Sequence, residues 1–134
     1  MSTSRIKVLL VDDEADLLRF GKMLLEGYNM IVTAAGDGAT ALQHFQSDTF
    51  DIIISDIRMP KMTGIQLLAN VRKVNAHIPV ILCSTFSNDF RIVSDANTIQ
   101  PSATFPKPFD PDSLVQKIEE LVAASKSQSP QKAS

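Results

Sequence analysis

An α/β fold is expected for this chain: an open, doubly wound parallel sheet built from five βα units. Three observations carry the expectation. Short runs rich in β-branched residues and leucine recur along the chain. Segments with helical spacing of apolar residues separate those runs. Capping residues stand at several of the helix starts that the spacing implies.

The runs are Ile6 to Val11, Met30 to Ala35, Ile52 to Ser55 and Pro79 to Cys83, with a weaker fifth at Ala103 to Phe105. Continuous apolar runs of this length read as strands buried on both faces, as in a parallel sheet. Leu17, Phe20 and Leu24 mark one face of a first helix, with Leu18 and Leu25 beside them. Ala41, Leu42 and Phe45 serve a second. Leu67, Leu68, Val71 and Val74 serve a third, and Leu114, Ile118, Leu121 and Val122 the last. A shorter helix is expected near Asn88 to Ala96, on Phe90, Val93 and Ala96. Asp37 precedes the second helix. Thr63 and Gln66 have capping-box spacing before the third, and Asp110-Pro111 puts a capping acid and an N1 proline before the last.

Right-handed crossovers turn this order into a sheet with helices on both faces. At this size the flavodoxin-like (βα)5 arrangement, strand order 2-1-3-4-5, is the natural solution. The fifth strand is then an edge, where Pro106 is tolerated. Residues 1–124 form the expected domain. From Ser125 the chain turns polar, so residues 125–134 read as a disordered tail or the start of a linker.

With 134 residues, 44% of them apolar, the chain suits one domain with a substantial core. A net charge of −2 with interspersed signs gives no basic footprint for nucleic acid and no polybasic membrane patch. The first residues lack the apolar core of a secretory signal, and no stretch has the length of a membrane span, so a cytoplasmic protein is expected. The single cysteine, Cys83, lies in an apolar run and reads as a buried, inert thiol.

In such sheets, ligands bind beyond the carboxyl ends of the strands where the strand order reverses. The first and third strands flank that point. The first ends in Asp12-Asp13-Glu14 and the third in Ser55-Asp56, so Asp12, Asp13 and Asp56 should converge. Alone, the acidic pair reads equally as a helix cap and Asp56 as a turn former. Together they need a cation or a proton, and oxygen-only ligands suit Mg²⁺. Pro60 stiffens the loop after Asp56, and a backbone carbonyl there has the chemistry to complete a metal shell. Ser84, closing the fourth strand, offers a hydroxyl for a phosphoryl oxygen. Lys107, bracketed by Pro106 and Pro108, is a candidate fixed counter-charge to phosphate.

With these landmarks the chain resembles the receiver domain of two-component response regulators, over about residues 5 to 124. The resemblance rests on Asp12-Asp13, the D-x-x-M-P-x-M-x-G string from Asp56 to Gly64, Pro79-Val80-Ile81 leading to Ser84, and Lys107-Pro108-Phe109. It implies that Asp56 accepts a phosphoryl group from a phosphohistidine of a sensor histidine kinase or phosphotransfer protein. It implies Mg²⁺ on Asp12, Asp13, Asp56 and the backbone carbonyl of Arg58, with Ser84 and Lys107 bonding phosphoryl oxygens. The implied protein is a switch that assists its own phosphorylation and dephosphorylation. Its output partner is unidentified, and a homodimer through the fourth helix, fifth strand and fifth helix is one candidate assembly.

Three positions depart from the family pattern. Thr104 stands where an aromatic switch residue is usual. Gln100-Pro101-Ser102-Ala103 replaces a Gly-Ala step, and Thr85 follows Ser84 where Ala or Gly is common. They bear on how a signal leaves the site. His44 and His77 are distant from the site in the pattern and suggest no phosphohistidine carrier.

Other readings make different demands. A haloacid-dehalogenase-like phosphatase would carry D-x-D after the first strand and turn over a small phosphorylated substrate, whereas Asp12 and Asp13 are adjacent. A flavodoxin-like cofactor binder needs a phosphate-cradling loop after the first strand, where this chain is acidic. A receiver-like module acting through protein contacts alone would have no need of the five site residues.

Overall fold

A computed structural model describes residues 5–93, 99–107 and 110–133. The elements are β1 (Lys7–Val11), α1 (Ala15–Gly27), β2 (Ile31–Ala35), α2 (Gly38–Ser47), β3 (Ile52–Asp56), α3 (Gly64–Val74), β4 (Val80–Ser84), α4 (Ser87–Val93), β5 (Ala103–Pro106) and α5 (Pro111–Ala133). All strand pairs are parallel, in the order β2-β1-β3-β4-β5. The expected fold class and strand order are therefore those observed.

Alternation along the strands fills two cores. Leu9, Val11, Ile53 and Leu82 pack with Ala41, Leu67, Leu68, Val71 and Val93 of α2, α3 and α4. Val8, Leu10, Ile52, Ile54, Ile81 and Cys83 pack with Leu25 of α1 and with Leu114, Ile118 and Val122 of α5. Burial on both faces is why the strands lack a polar alternation. The caps form as expected. Asp37 accepts the Thr40 amide at 2.7 Å, Thr63 and Gln66 close a capping box, and Asp110 accepts the Ser113 amide at 3.0 Å.

Two helix readings are corrected. On α1 the row facing the sheet is Leu18, Gly21 and Leu25, while Leu17 and Phe20 are exposed. Gly21 decides this, because a Cβ there would lie 3.0 Å from Leu10 Cδ2, so the helix seats closest along its smallest residue. Val74, at the last turn of α3, is exposed rather than core. Val122 is the last buried residue among the α5 side chains described, and the helix runs on to Ala133. Ala96, Pro108 and Phe109 lie outside the described residues.

Register sets the level at which the strands end. Val11 pairs with Ser55, Asp56 with Cys83 and Ser84 with Pro106. Asp12, Asp56, Ser84 and Lys107 thus leave the sheet along one carboxyl edge.

Candidate functional site

The loop after β3 is held from both sides. The Ile57 amide donates to the Cys83 carbonyl at 2.9 Å, and the Gly64 amide donates to the Ile57 carbonyl at 2.8 Å. Lys61 takes a left-handed φ of 71°, costing a non-glycine residue about 1 kcal/mol, which the surrounding bonds must hold. A Cβ on Gly64 would lie 2.3 Å from the Asp56 carbonyl oxygen. The start of α3 therefore rests directly on the backbone of Asp56.

One carboxylate oxygen from each of Asp12, Asp13 and Asp56 lies within 4.8 Å of the others. Asp12 is buried, Asp56 half-buried and Asp13 exposed. Asp12 Oδ1 accepts the Glu14 amide at 3.0 Å and its Oδ2 accepts Lys107 Nζ at 3.0 Å. Lys107 Nζ also stands 3.6 Å from Asp56 Oδ1. Burial works against the Lys107 charge. The hydrogen bond to Asp12 and the charges of Asp12 and Asp56 outweigh it and raise the ammonium's pKa. The lysine's backbone is fixed as well, its amide donating to the Ser84 carbonyl at 2.8 Å.

Asp56 is pushed up to about 6, first by burial and then by Asp12 and Asp13, against the lowering effect of Lys107. Such a carboxyl binds its proton more tightly folded than unfolded. Metal-free protein should therefore lose stability as pH rises from the ordinary carboxylate range through about 6. In urea unfolding with chelator at pH 7.5, Asp56→Asn should be more stable than wild type by about 1–2 kcal/mol, discounted for solvent screening at a half-buried group. The difference should vanish near pH 4, where both side chains are neutral. A constant difference across that range would assign the effect to packing.

A cleft of about 210 Å³ above the strand ends is bounded by Asp13, Asp56, Arg58, Ser84, Thr85 and Lys107. A larger apolar cavity of about 320 Å³ lies under α1, against Leu10, Phe20, Gly21, Ile54 and Cys83. Asp12, Asp56 and Lys107 stand at the edge of that cavity, and Asp56 and Lys107 border both spaces, while Asp13, Arg58 and Ser84 face the smaller cleft. Cys83 is buried, and burial pushes its thiol up to about 12, so it is inert as expected. His77 is exposed and His44 half-buried on α2.

Asp12, Asp13, Asp56 and Lys107 thus come together as the sequence suggested. The three oxygen donors fit a hard divalent cation, and the adjoining ammonium fits an anionic group. Ser84 and Arg58 line the same cleft, but the Ser84 hydroxyl donates to Asp89 Oδ2. Arg58 Nε donates to that same oxygen at 2.9 Å. Asp89 is buried, and although burial raises its pKa, the hydrogen bonds from Arg58 and Ser84 hold it low. Sequence reasoning missed Asp89, because an acid in the first turn of a helix looks like an ordinary partner of the helix dipole.

Comparison with known proteins agrees with this geometry. The family model described as Response regulator receiver domain matches residues 8–119. The chain is 36% identical over 119 residues to chemotaxis protein CheY of Pseudomonas aeruginosa, covering 87% of this chain and 95% of that protein. It is 33% identical over 128 residues to transcriptional regulatory protein GlrR of Escherichia coli, covering 93% of this chain and 28% of GlrR. The chain thus spans little more than a quarter of that regulator. Among solved structures, response regulator protein TrrA of Thermotoga maritima, in complex with Mg²⁺-BeF, superposes with a TM-score of 0.78 at 28% identity, covering 87% of this chain and 98% of TrrA. With the strand order, the acidic cluster and the family match in agreement, the chain belongs to the response regulator receiver domains of two-component systems.

Proposed function

We propose that Asp56 is the phosphoacceptor and that Asp12, Asp13, Asp56 and the Arg58 backbone carbonyl hold Mg²⁺. The observation that carries this reading is the placing of three carboxylates within 4.8 Å of one another beside Lys107, itself 3.0 Å from Asp12 and 3.6 Å from Asp56. In the reaction an Asp56 carboxylate oxygen forms a bond to the phosphorus of a phosphohistidine on a kinase or phosphotransfer protein. The P–N bond breaks, its electron pair leaves with the imidazole, and an aspartyl phosphate remains. Hydrolysis by water later returns the carboxylate and inorganic phosphate. Asp12, Asp13 and Asp56 would hold Mg²⁺, which would supply neutralising charge to the acidic cluster and the phosphoryl oxygens. Lys107 is poised to exchange a carboxylate for a phosphoryl oxygen, and Ser84 to donate its hydroxyl hydrogen to another.

The protein is a switch rather than a metabolic enzyme, with the self-assisted making and breaking of the acyl phosphate confined to these side chains. We place the phosphorylated unit within residues 1–124, because Val122 is the last buried residue among the described side chains of α5. Among the described residues no helix is long and apolar enough to cross a membrane, and we place the protein in the cytoplasm, where a kinase would meet it. Ile92 on α4 and Thr104 on β5 are exposed, and we assign to that face the contact with a downstream partner or a second copy.

Metal titration tests the site. Asp13→Asn should weaken Mg²⁺ binding about tenfold or more, since it removes both a ligand and a neutralising charge. Lys107→Ala should leave the affinity unchanged or raise it, because it frees Asp12 and removes a competing cation. Unchanged affinity in Asp13→Asn would put the metal elsewhere.

A further inference from the structure

Ser84 has a single hydroxyl hydrogen. Of its two acceptors in reach, Asp89 Oδ2 is far the nearer and the Phe86 carbonyl lies at 3.4 Å, while Ser84 Oγ accepts the Phe86 amide at 3.0 Å. The donor assigned to the phosphoryl group is therefore already committed. Its partner is anchored in turn. Asp89 is 4% exposed, and its Oδ2 accepts Arg58 Nε at 2.9 Å. The Arg58 guanidinium lies 4.3 Å from the centre of the Phe86 ring. Arg58 comes from the loop after Asp56 and Asp89 from the first turn of α4. The three side chains thus join the loop after β3, the end of β4 and α4 through one buried carboxylate.

We propose that Asp89 is a positioning residue that competes with the phosphoryl group for the Ser84 hydroxyl, so that phosphorylation must break the Ser84–Asp89 bond and thereby releases α4. The proposal rests on the reading of Asp56 as phosphoacceptor. A hydroxyl bonded to an ionised carboxylate is more firmly held than one bonded to a neutral group. The phosphoryl oxygen, also anionic, offers a bond of the same kind, so the exchange is close to balanced and suits a switch. Thr104 is exposed on β5 and too small to act as a ring that fills and empties a pocket. The Asp89 tie gives this chain another route from the site to α4. Coupling of this kind is reciprocal: whatever the tie costs the phosphorylated state, phosphorylation returns as bias on α4.

The test uses the full chain, Mg²⁺ and beryllofluoride as a stand-in for the phosphoryl group, with affinity and amide spectra as readouts. Asp89→Ala should bind beryllofluoride about tenfold more tightly than wild type, equivalent to about 1.4 kcal/mol. Without the probe, its α4 amide signals should already lie part of the way toward their positions in beryllofluoride-bound wild type. In a Ser84→Ala background the same substitution should give no gain, because the contested hydroxyl is gone. Asp89→Asn keeps the size of the side chain and replaces the ionised acceptor by a neutral one. It should give a smaller gain in the same direction, and keeps the test open if Asp89→Ala folds poorly. Unchanged or weaker binding in folded Asp89→Ala, or an equal gain without Ser84, would overturn the competition. Absence of any beryllofluoride response in wild type would instead overturn the phosphoacceptor reading, and the competition with it.

Discussion

Acetyl phosphate with Mg²⁺ is expected to add one phosphoryl group to this protein and none to Asp56→Asn. The loss should be complete, because no other carboxylate of the cluster is equally placed. Asp12 is engaged at both oxygens, by the Glu14 amide and by Lys107. Asp13 is exposed and has no fixed cation beside it among the described residues. Asp56 alone combines partial burial, a rigid backbone on both sides and an ammonium at 3.6 Å from Oδ1. Its neutral-pH form is reactive, since a pKa of about 6 leaves it mainly ionised at pH 7.5. Intact-mass measurement reads the result directly. Chelation of the metal should remove the adduct from wild type as thoroughly as the substitution does. An equal adduct on Asp56→Asn would move the acceptor elsewhere.

A second large effect is expected far from any ionisable group. Gly64→Ala should destabilise the protein by about 2–4 kcal/mol, in the range of a core overpacking that forces the backbone to move. The added Cβ would meet the Asp56 carbonyl oxygen at 2.3 Å and the Ile57 Cα at 3.0 Å, and neither is the end of a flexible side chain. The glycine is required for space rather than for its backbone angles, as no glycine here has a positive φ. The backbone that yields is the one holding Asp56 and Arg58, so Mg²⁺ binding should weaken along with stability. Gly27→Ala is the control. Nothing lies within 4 Å of a Cβ there, and it should be neutral or slightly stabilising. Urea unfolding of the two variants beside wild type checks both expectations. A neutral Gly64→Ala would mean that the loop is looser than its hydrogen bonds imply.

Several features were legible because they are local. Asp37, the Thr63/Gln66 box and Asp110-Pro111 mark helix starts through bonds that span three residues, and each cap forms. Strands buried on both faces declare themselves by uninterrupted apolar runs, so β1, β3 and β4 were found within a residue or two of their ends. Right-handed crossovers put helices on both faces of the sheet, and the size of the chain suited the order 2-1-3-4-5. Once that order was known, the acids after the first and third strands had to meet. The convergence of Asp12, Asp13, Asp56 and Lys107 was thus a consequence of topology already written in the chain.

What only the tertiary structure decided depends on distances between elements. The α1 sequence has two apolar rows, and periodicity cannot rank them. Gly21 against Leu10 turns the Leu18 row inward and leaves Leu17 and Phe20 exposed. The partner of Ser84 was the least legible of all. Asp89, five residues on, is an unremarkable helix acid until α4 folds it back over β4 and Arg58 arrives from another loop. Sequence alone determined the sheet, the caps and the acidic cluster, because short-range bonding and strand topology suffice for them. The hand that holds Ser84 required the fold, because a hydroxyl takes whichever acceptor packing brings within reach.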